Sequence, residues 1–363
     1  CSRREPTEPA LHGAAVDGIP AGILVRGTAV STPSKWQMHL GPASVLITTT
    51  LALADEVARL QARGEPPLYA LTAVTNEWNA ESATASLVHL TADRAVGAIW
   101  DPDCASLLVQ AASGAISSQR LLYLAYLLLE NQLQHNGFLT LHAAAASRDG
   151  RAVLLLGPAG AGKTTTLLRL CRDHGAAMVG NDLVVAGGRG LIPQTLTGSR
   201  HVRLRHASIA QSMPDLLGYF PGAVRDPWRA KRDIDPARLG IRPAAGPAEI
   251  AVTVFVHVDT GYPALVDEAG DTLVHRLNLY ENAVRYIRGG STPWLIRGAF
   301  GPYMPALDDP VAHSARTATL DRLLARSRYV AGSPAAVAER VSALLASSGD
   351  QFTRPAAAAR CAR

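Results

Sequence analysis

The sequence predicts an α/β fold, a sheet covered by helices on both faces, preceded by a smaller α+β region. Three observations carry this. Ala152–Leu156 is apolar throughout, which suits a strand buried on both faces. The glycine-rich run Gly157–Thr164 follows at once and Thr165–Arg172 continues as a helix, so strand, tight loop and helix succeed one another. Before residue 110 the pattern differs, with short β-rich runs and a single amphipathic helix candidate.

Taken in order, residues 1–20 are polar and proline-containing and read as frayed. Ile23–Val25, Ser44–Thr48, Tyr69–Val74 and Val96–Trp100 read as strands, and Leu51–Arg63 as the helix among them. Ser117–Gln134 is too long and too apolar for a strand and reads as a buried helix. Phe138–Ala146 reads as one strand, turning at Arg148–Gly150 into Ala152–Leu156. His174-Gly175 stops the following helix, Ala177–Val179 begins a strand, Gly187–Gly190 turns, and Val202–Arg205 is a further strand. Pro214–Arg242, rich in Pro, Gly and Arg, reads as a loop or lid. Ile250–Val258 is a strand, Asn278–Tyr286, Ala315–Ala325 and Pro334–Ala346 are helices, and Val266-Asp267-Glu268 is a surface turn.

Composition narrows the function classes. Hydrophobic residues make up 48% of the 363 and the net charge is only +5, so the chain is globular rather than disordered. Its greasiest stretch, Leu121–Leu129, ends at Glu130, well short of the ~20 residues a membrane span needs. The tightest basic set, Arg200, His201, Arg203, Arg205 and His206, reads as one charged strand face or as cations gathered for phosphate. No aromatic residues interleave with it, which argues against nucleic acid. Cys1, Cys104, Cys171 and Cys361 form neither a disulfide framework nor a zinc set, pointing to a reducing, cytoplasmic setting; Cys171 and His174 read as helix surface. The start at Cys1 without Met reads as a trimmed or truncated terminus.

The run Gly157-Pro158-Ala159-Gly160-Ala161-Gly162-Lys163-Thr164 fits G-x4-G-K-[ST] at every fixed position, in the strand–loop–helix setting that motif requires. Glycines let the backbone curl around an anion and aim N–H groups inward, and the helix N-terminus adds partial positive charge. Lys163 is placed to bridge β- and γ-phosphates and the Thr164 hydroxyl to hold Mg2+. The loop amides of Gly157, Ala159, Gly160, Ala161 and Gly162, with Thr165, complete the candidate nucleotide site. No LSGGQ-like signature and no NKxD-like base reader is present, so neither a transporter ATPase nor a GTPase is indicated. Asn181-Asp182 ends the strand after the helix, and parallel strands would bring its carboxylate near the phosphates as metal ligand or base. A turn cap is the plainer reading of Asp182.

This order of features resembles the HPr kinase/phosphorylase family. Leu141-His142-Ala143 occupies the place of the family's strand-borne histidine, Gly157–Thr164 matches its P-loop, and Asn181-Asp182 falls where the family has an acidic pair. Val202–Arg205 and Lys231–Pro236 look like segments of the broader group of HPr-kinase-like proteins, many of which belong to bacterial peptide-modification pathways.

The resemblance implies a P-loop kinase core of the HPr kinase C-terminal-domain type. The organisation expected from it is a flexible N-terminus over 1–20, a small α+β domain over 21–115 that presents the acceptor, a kinase domain over 116–346 and a disordered tail over 347–363. The activity implied is ATP- and Mg2+-dependent phosphorylation of a hydroxyl, foremost Ser of a peptide or protein. Kinase action on a small hydroxylated metabolite and a non-catalytic nucleotide-binding module are the alternatives. Lys163, Asp182, His142 and Asn181 are the implied catalytic set, Thr164 and Asp182 the metal ligands, and Arg203, Arg205 and Arg232 candidates for neutralising transferred charge. His142 reads equally as a histidine bonded inside the sheet. Asn181 departs from the family, because asparagine cannot take up a proton. A bacterial cytoplasmic location, no membrane partner and a homo-oligomer complete the expectations.

Overall fold

The computed structural model describes residues 33–55, 58, 70–74, 83–92, 97–103, 105–112, 116–262, 264–288 and 305–347, all within one compact unit beginning at Pro33. The expectations for 1–20, Ile23–Val25, most of Leu51–Arg63 and the tail beyond 347 fall outside these residues.

Six strands, β1 (Ser34–Leu40), β2 (Ala43–Thr49), β3 (Ala70–Ala73), β4 (Ala85–Ala92), β5 (Gly97–Asp101) and β6 (Ser106–Ala112), form a first sheet in the order β3-β1-β2-β4-β6-β5. Pairs β2–β4 and β4–β6 are parallel and the rest antiparallel. Period-2 alternation puts Met38, Leu40, Val45, Ile47, Leu87, Leu107 and Val109 on one buried face. Helix α1 (Ser118–His135) packs on that face, its N-terminus capped by the Ser117 hydroxyl, which accepts from Arg120 N at 3.3 Å. Leu121 to Leu129 are all buried because this helix also packs against the strand Phe138–Leu141 of the second sheet.

The second sheet has nine strands: β7 (Phe138–Leu141), β8 (Ala144–Arg148), β9 (Arg151–Leu156), β10 (Ala177–Gly180), β11 (Val184–Gly187), β12 (Gln194–Gly198), β15 (Ala248–Val258), β16 (Val266–Ala269) and β17 (Ser327–Gly332). It runs β10-β8-β9-β15-β12-β11-β7 and forks at β15, which pairs with β12 through its first residues and with β17 from Thr253 onward. Helices α2 (Lys163–Asp173) and α6 (Pro334–Ala346) cover one face, α4 (Leu273–Val284) and α5 (Pro310–Leu324) the other. Strand β9 therefore alternates between two cores: Val153 and Leu155 enter the α2/α6 layer, Leu154 and Leu156 the α4/α5 layer. A two-stranded ribbon, β13 (Val202–Arg205) with β14 (Lys231–Ile234), and the short helix α3 (His206–Ser212) sit beside α2.

The chain is thus mixed α/β, and several elements differ from the sequence reading. Phe138–Ala146 is not one strand but two, broken at His142-Ala143 and placed far apart in the sheet order. The break follows from Asn282 of α4: its Oδ1 accepts from His142 N at 2.7 Å and its Nδ2 donates to His142 O at 3.1 Å, satisfying the backbone groups that a strand neighbour would otherwise take. Pro214–Arg242 contains β14 and two 3-10 turns rather than a plain loop. Val266–Ala269 is a strand, because Arg328 and Arg340 pin Asp267 from β17 and α6. Cys171 is buried, not surface, and burial pushes its thiol up to about 12. Strand β10 does not pair with β9; it pairs antiparallel with β8, itself antiparallel to β9. Strands β9 and β10 still point the same way, so Leu156 and Asn181 emerge at one sheet edge. Among the described residues no helix is long and apolar enough to cross a membrane.

Candidate active site

The site forms where β9 and β10 end. Loop 157–162 leads into α2, whose N-cap, Gly162, is left-handed at φ 93° and ψ 13°. A Cβ there would lie 2.4 Å from Val258 Cβ, so both conformation and close approach demand glycine. Val258 N donates to Ala161 O at 2.9 Å and ties the loop to β15. No side chain caps α2, which leaves its first-turn amides for an anion.

Lys163 is buried and folds back over the loop, its Nζ donating to Gly157 O at 2.8 Å and Pro158 O at 3.2 Å. Burial pushes its ammonium down to about 8; Asp182 resists that shift and Arg285 adds to it. A desolvated cation resting on carbonyl dipoles inside a glycine-rich cradle fits a phosphate chain, which offers it stronger acceptors.

Thr164 Oγ1 donates to Asn181 Oδ1 at 2.8 Å, and Asn181 Nδ2 donates to His201 O at 2.9 Å. Asn181 N donates to Ser199 O at 2.7 Å and its carbonyl accepts from the Ser199 hydroxyl. Every polar group of Asn181 is therefore engaged. Asp182 follows with φ 76°, an αL conformation costly for a residue with a Cβ. That turn presents its carboxylate to His142, with Nδ1 and Oδ1 3.0 Å apart. Burial would lift the Asp182 carboxyl, but the hydrogen bond and field of His142, with Lys163 and His201, hold it below the ordinary range. It is ionised at neutral pH.

Lys163, Thr164, Asn181, Asp182 and His142 thus share one rim. The arginines do not act alike. Arg203 is held bidentate by Asp233, Nε–Oδ1 2.6 Å and Nη2–Oδ2 2.9 Å, with His201 Nε2 3.0 Å from the same Oδ1. Its charge is largely compensated. Arg205 lines the cavity over the glycine-rich loop, and Lys231, directly opposite it in the ribbon, joins it there. Arg232 pairs in register with Leu204, is exposed, and lies outside that cavity's lining. Pattern reading missed Asn282 and Arg285; the signal that could have found Asn282 is its place inside a helix, where asparagine is disfavoured unless its amide has a task.

Among the described residues no group of three or more His, Cys, Asp or Glu could hold a metal by itself. The donors present, the Thr164 hydroxyl and the Asp182 carboxylate, are hard oxygens and fit Mg2+, which is commonly held by one or two protein oxygens plus phosphate and water. Two cavities meet at His142 and Ala159. The larger, about 700 Å³, is lined by Gly160, Gly162–Thr165, Asp182, Arg205, Ser208 and Trp228 among others. The smaller, about 580 Å³, lies between the start of the glycine-rich loop and α4.

No family model matches the chain, and no curated protein does. Among solved structures the chain is similar to the Hpr(Ser) kinase/phosphatase from Coxiella burnetii, with 18% identity over 36% of this chain and 77% of that chain and a TM-score of 0.21.

Proposed function

We propose that this chain is an ATP-dependent kinase that moves the γ-phosphoryl group to a hydroxyl, foremost that of a Ser in a peptide or protein. The observation that carries the reading is the buried Lys163 folded into a glycine cradle beside an ionised carboxylate, Asp182, at the same rim. The amides of residues 157–163 and Lys163 hold the β- and γ-phosphates, and Thr165 borders the α end. Thr164, with phosphate oxygens and water, would hold Mg2+, which would supply charge neutralisation.

The acceptor oxygen bonds to the γ-phosphorus as the bond to the β–γ bridging oxygen breaks. ADP leaves with that electron pair, and Asp182 takes the hydroxyl proton. A carboxylate held below its ordinary pKa is a modest base. It suffices because a loose phosphoryl transition state depends mainly on positioning and neutralisation. His142 steadies Asp182, and Asn181, with no capacity for a proton, fixes Thr164. Arg205 and Lys231 balance phosphate charge.

The test is transfer of label from γ-labelled ATP with Mg2+ to Ser-containing peptides and to small hydroxyl compounds, with every product weighed by mass spectrometry. Wild type should add one phosphate to a peptide Ser, and Lys163→Ala and Asp182→Ala should lose that product. Tight ATP binding with no labelled acceptor, unchanged in Asp182→Ala, would reject the kinase in favour of a nucleotide-binding module.

A further inference from the structure

The P-loop is shared unequally between the two cavities. Its start, Leu156–Pro158, borders only the smaller one; its end, Gly160 and Gly162–Thr165, borders only the larger; Ala159 and His142 touch both. Lys163 Nζ, the group that reaches β- and γ-phosphates in such loops, lies over Gly157 O and Pro158 O at the loop's start. A triphosphate along the loop therefore has its γ end at the start and its nucleoside at the helix end, in the larger cavity. What attacks the γ-phosphorus must come from the other side.

That side is a built cavity of a size suited to a short peptide segment or a metabolite. Leu156, Phe255, Leu279 and Val284 give it apolar walls and Asn278 and Asn282 supply amides. Of its two guanidinium groups, Arg288 is engaged by Asp308, Nε–Oδ2 3.1 Å, whereas Arg285 has no hydrogen-bond or ion-pair partner among the described residues. Arg285 is also close enough to the phosphate-binding lysine for their charges to repel. Glu281 is the single carboxylate of the lining.

Resting on the kinase reading above, we propose that the cavity between the P-loop and α4 is the acceptor site, and that Arg285 there reads a negative group carried beside the reactive hydroxyl and an apolar portion of the acceptor. A hydroxyl flanked in this way occurs in an acidic Ser-containing peptide and in a free hydroxy acid.

Calorimetry on the full chain separates the two claims. Mg·ATP is titrated into wild type, into Ser208→Trp, which fills the larger cavity, and into Asn278→Trp, which fills the smaller. Binding should be lost in Ser208→Trp and kept in Asn278→Trp. If wild type fails to bind Mg·ATP, the kinase reading itself falls. If wild type binds but the two variants behave the other way round, or alike, the assignment of the cavities alone falls. The chain loaded with Mg·ADP is then titrated with two probe pairs: acetyl-Leu-Ser-Asp-amide against acetyl-Leu-Ser-Asn-amide, and 2-hydroxy-4-methylpentanoate against its amide. In at least one pair the acidic member should bind about tenfold or more tighter than its neutral twin, the difference expected of one charge-assisted contact. That preference should vanish in Arg285→Gln, and binding should vanish in Asn278→Trp. The pair that responds identifies the acceptor as peptide or hydroxy acid. Equal binding of the twins, a preference that survives Arg285→Gln, or no binding of any probe would overturn the proposal.

Discussion

Replacing Lys163 by methionine should make the free protein more stable near neutral pH while removing nucleotide binding, and the stability difference should shrink with rising pH. The ammonium is buried, and burial carries its pKa from 10.5 to about 8. A shift of that size means holding the charge costs about 3 kcal/mol in the folded state. Methionine removes the charge but leaves the Gly157 and Pro158 carbonyls without that donor, which gives back about 1–2 kcal/mol. A net gain of about 1–2 kcal/mol remains. The sign in pH follows from linkage: the folded pKa lies below the unfolded one, so the penalty is full below about 8 and disappears between about 8 and 10.5 as the folded lysine loses its proton first. Wild type should therefore gain about 2 kcal/mol on the variant between about pH 7 and about pH 9.5. Urea melts of both proteins without nucleotide, repeated across that range, measure it. A variant less stable than wild type by the same amount at every pH would show that Lys163 is not held as a desolvated cation, and the phosphate-site argument would lose its electrostatic basis. Mg·ATP should raise the midpoint of wild type and leave that of the variant unchanged.

Other outcomes follow from the same geometry. Asp182→Asn should lower phosphoryl transfer by about 10²–10⁴ while changing Mg·ATP affinity far less, read as initial rates against calorimetric binding. Removing the ring in His142→Ala leaves burial of the Asp182 carboxyl less opposed, so its pKa should rise, observable by carboxyl-carbon NMR titration. In wild type the depressed carboxyl stabilises the fold above its unfolded pKa of about 3.8, and that contribution is lost as pH falls through the folded value. Gly162→Ala should cost about 2–4 kcal/mol, because φ 93° is strained and Val258 blocks the new Cβ, whereas Gly160→Ala, equally strained at φ 89° but with open space around it, should cost only about 1–2 kcal/mol. Thermal melts of the pair test this contrast. Asn282→Ala should lower transfer through misplacement of His142, and Asn282→Gln should not rescue it, since the longer side chain cannot meet both backbone groups in one plane.

Local pattern was enough to place β9, α1 and α6, because each has an unbroken apolar period and ends on a strong stop or cap, such as Ser333 before Pro334. It misled where a distant side chain competes with the ladder. Nothing in Phe138–Ala146 signals that Asn282, far along the chain, will take the backbone of His142. Nor can the sequence of Val266–Glu268 reveal that Arg328 and Arg340 will hold Asp267 in a strand. The same limit applies to charge. Arg203, Arg205 and Arg232 look alike in a sequence; in the structure Asp233 compensates the first, the second lines the cavity uncompensated by it, and the third lies outside the cavity's lining.

Asn181 is the position where chemistry and architecture pull hardest against each other. If it stood merely in place of a lost carboxylate, Asn181→Asp would restore an acidic pair and raise transfer. The hydrogen bonds argue the reverse. The amide nitrogen donates to His201 O at 2.9 Å and the amide oxygen accepts from Thr164 at 2.8 Å, so one planar group joins the start of α2 to the segment entering β13. A carboxylate has no donor for the His201 carbonyl and would face it oxygen to oxygen, in a position only 4% exposed. It would also stand beside the ionised Asp182. The expected outcome is a loss of about 2–4 kcal/mol of stability at neutral pH, partly recovered toward pH 5 as the new carboxyl takes up a proton, with no gain in transfer. A faster and equally stable Asn181→Asp enzyme would mean that position 181, and not 182, carries the base, and the division of labour between Asn181 and Asp182 would have to be reversed.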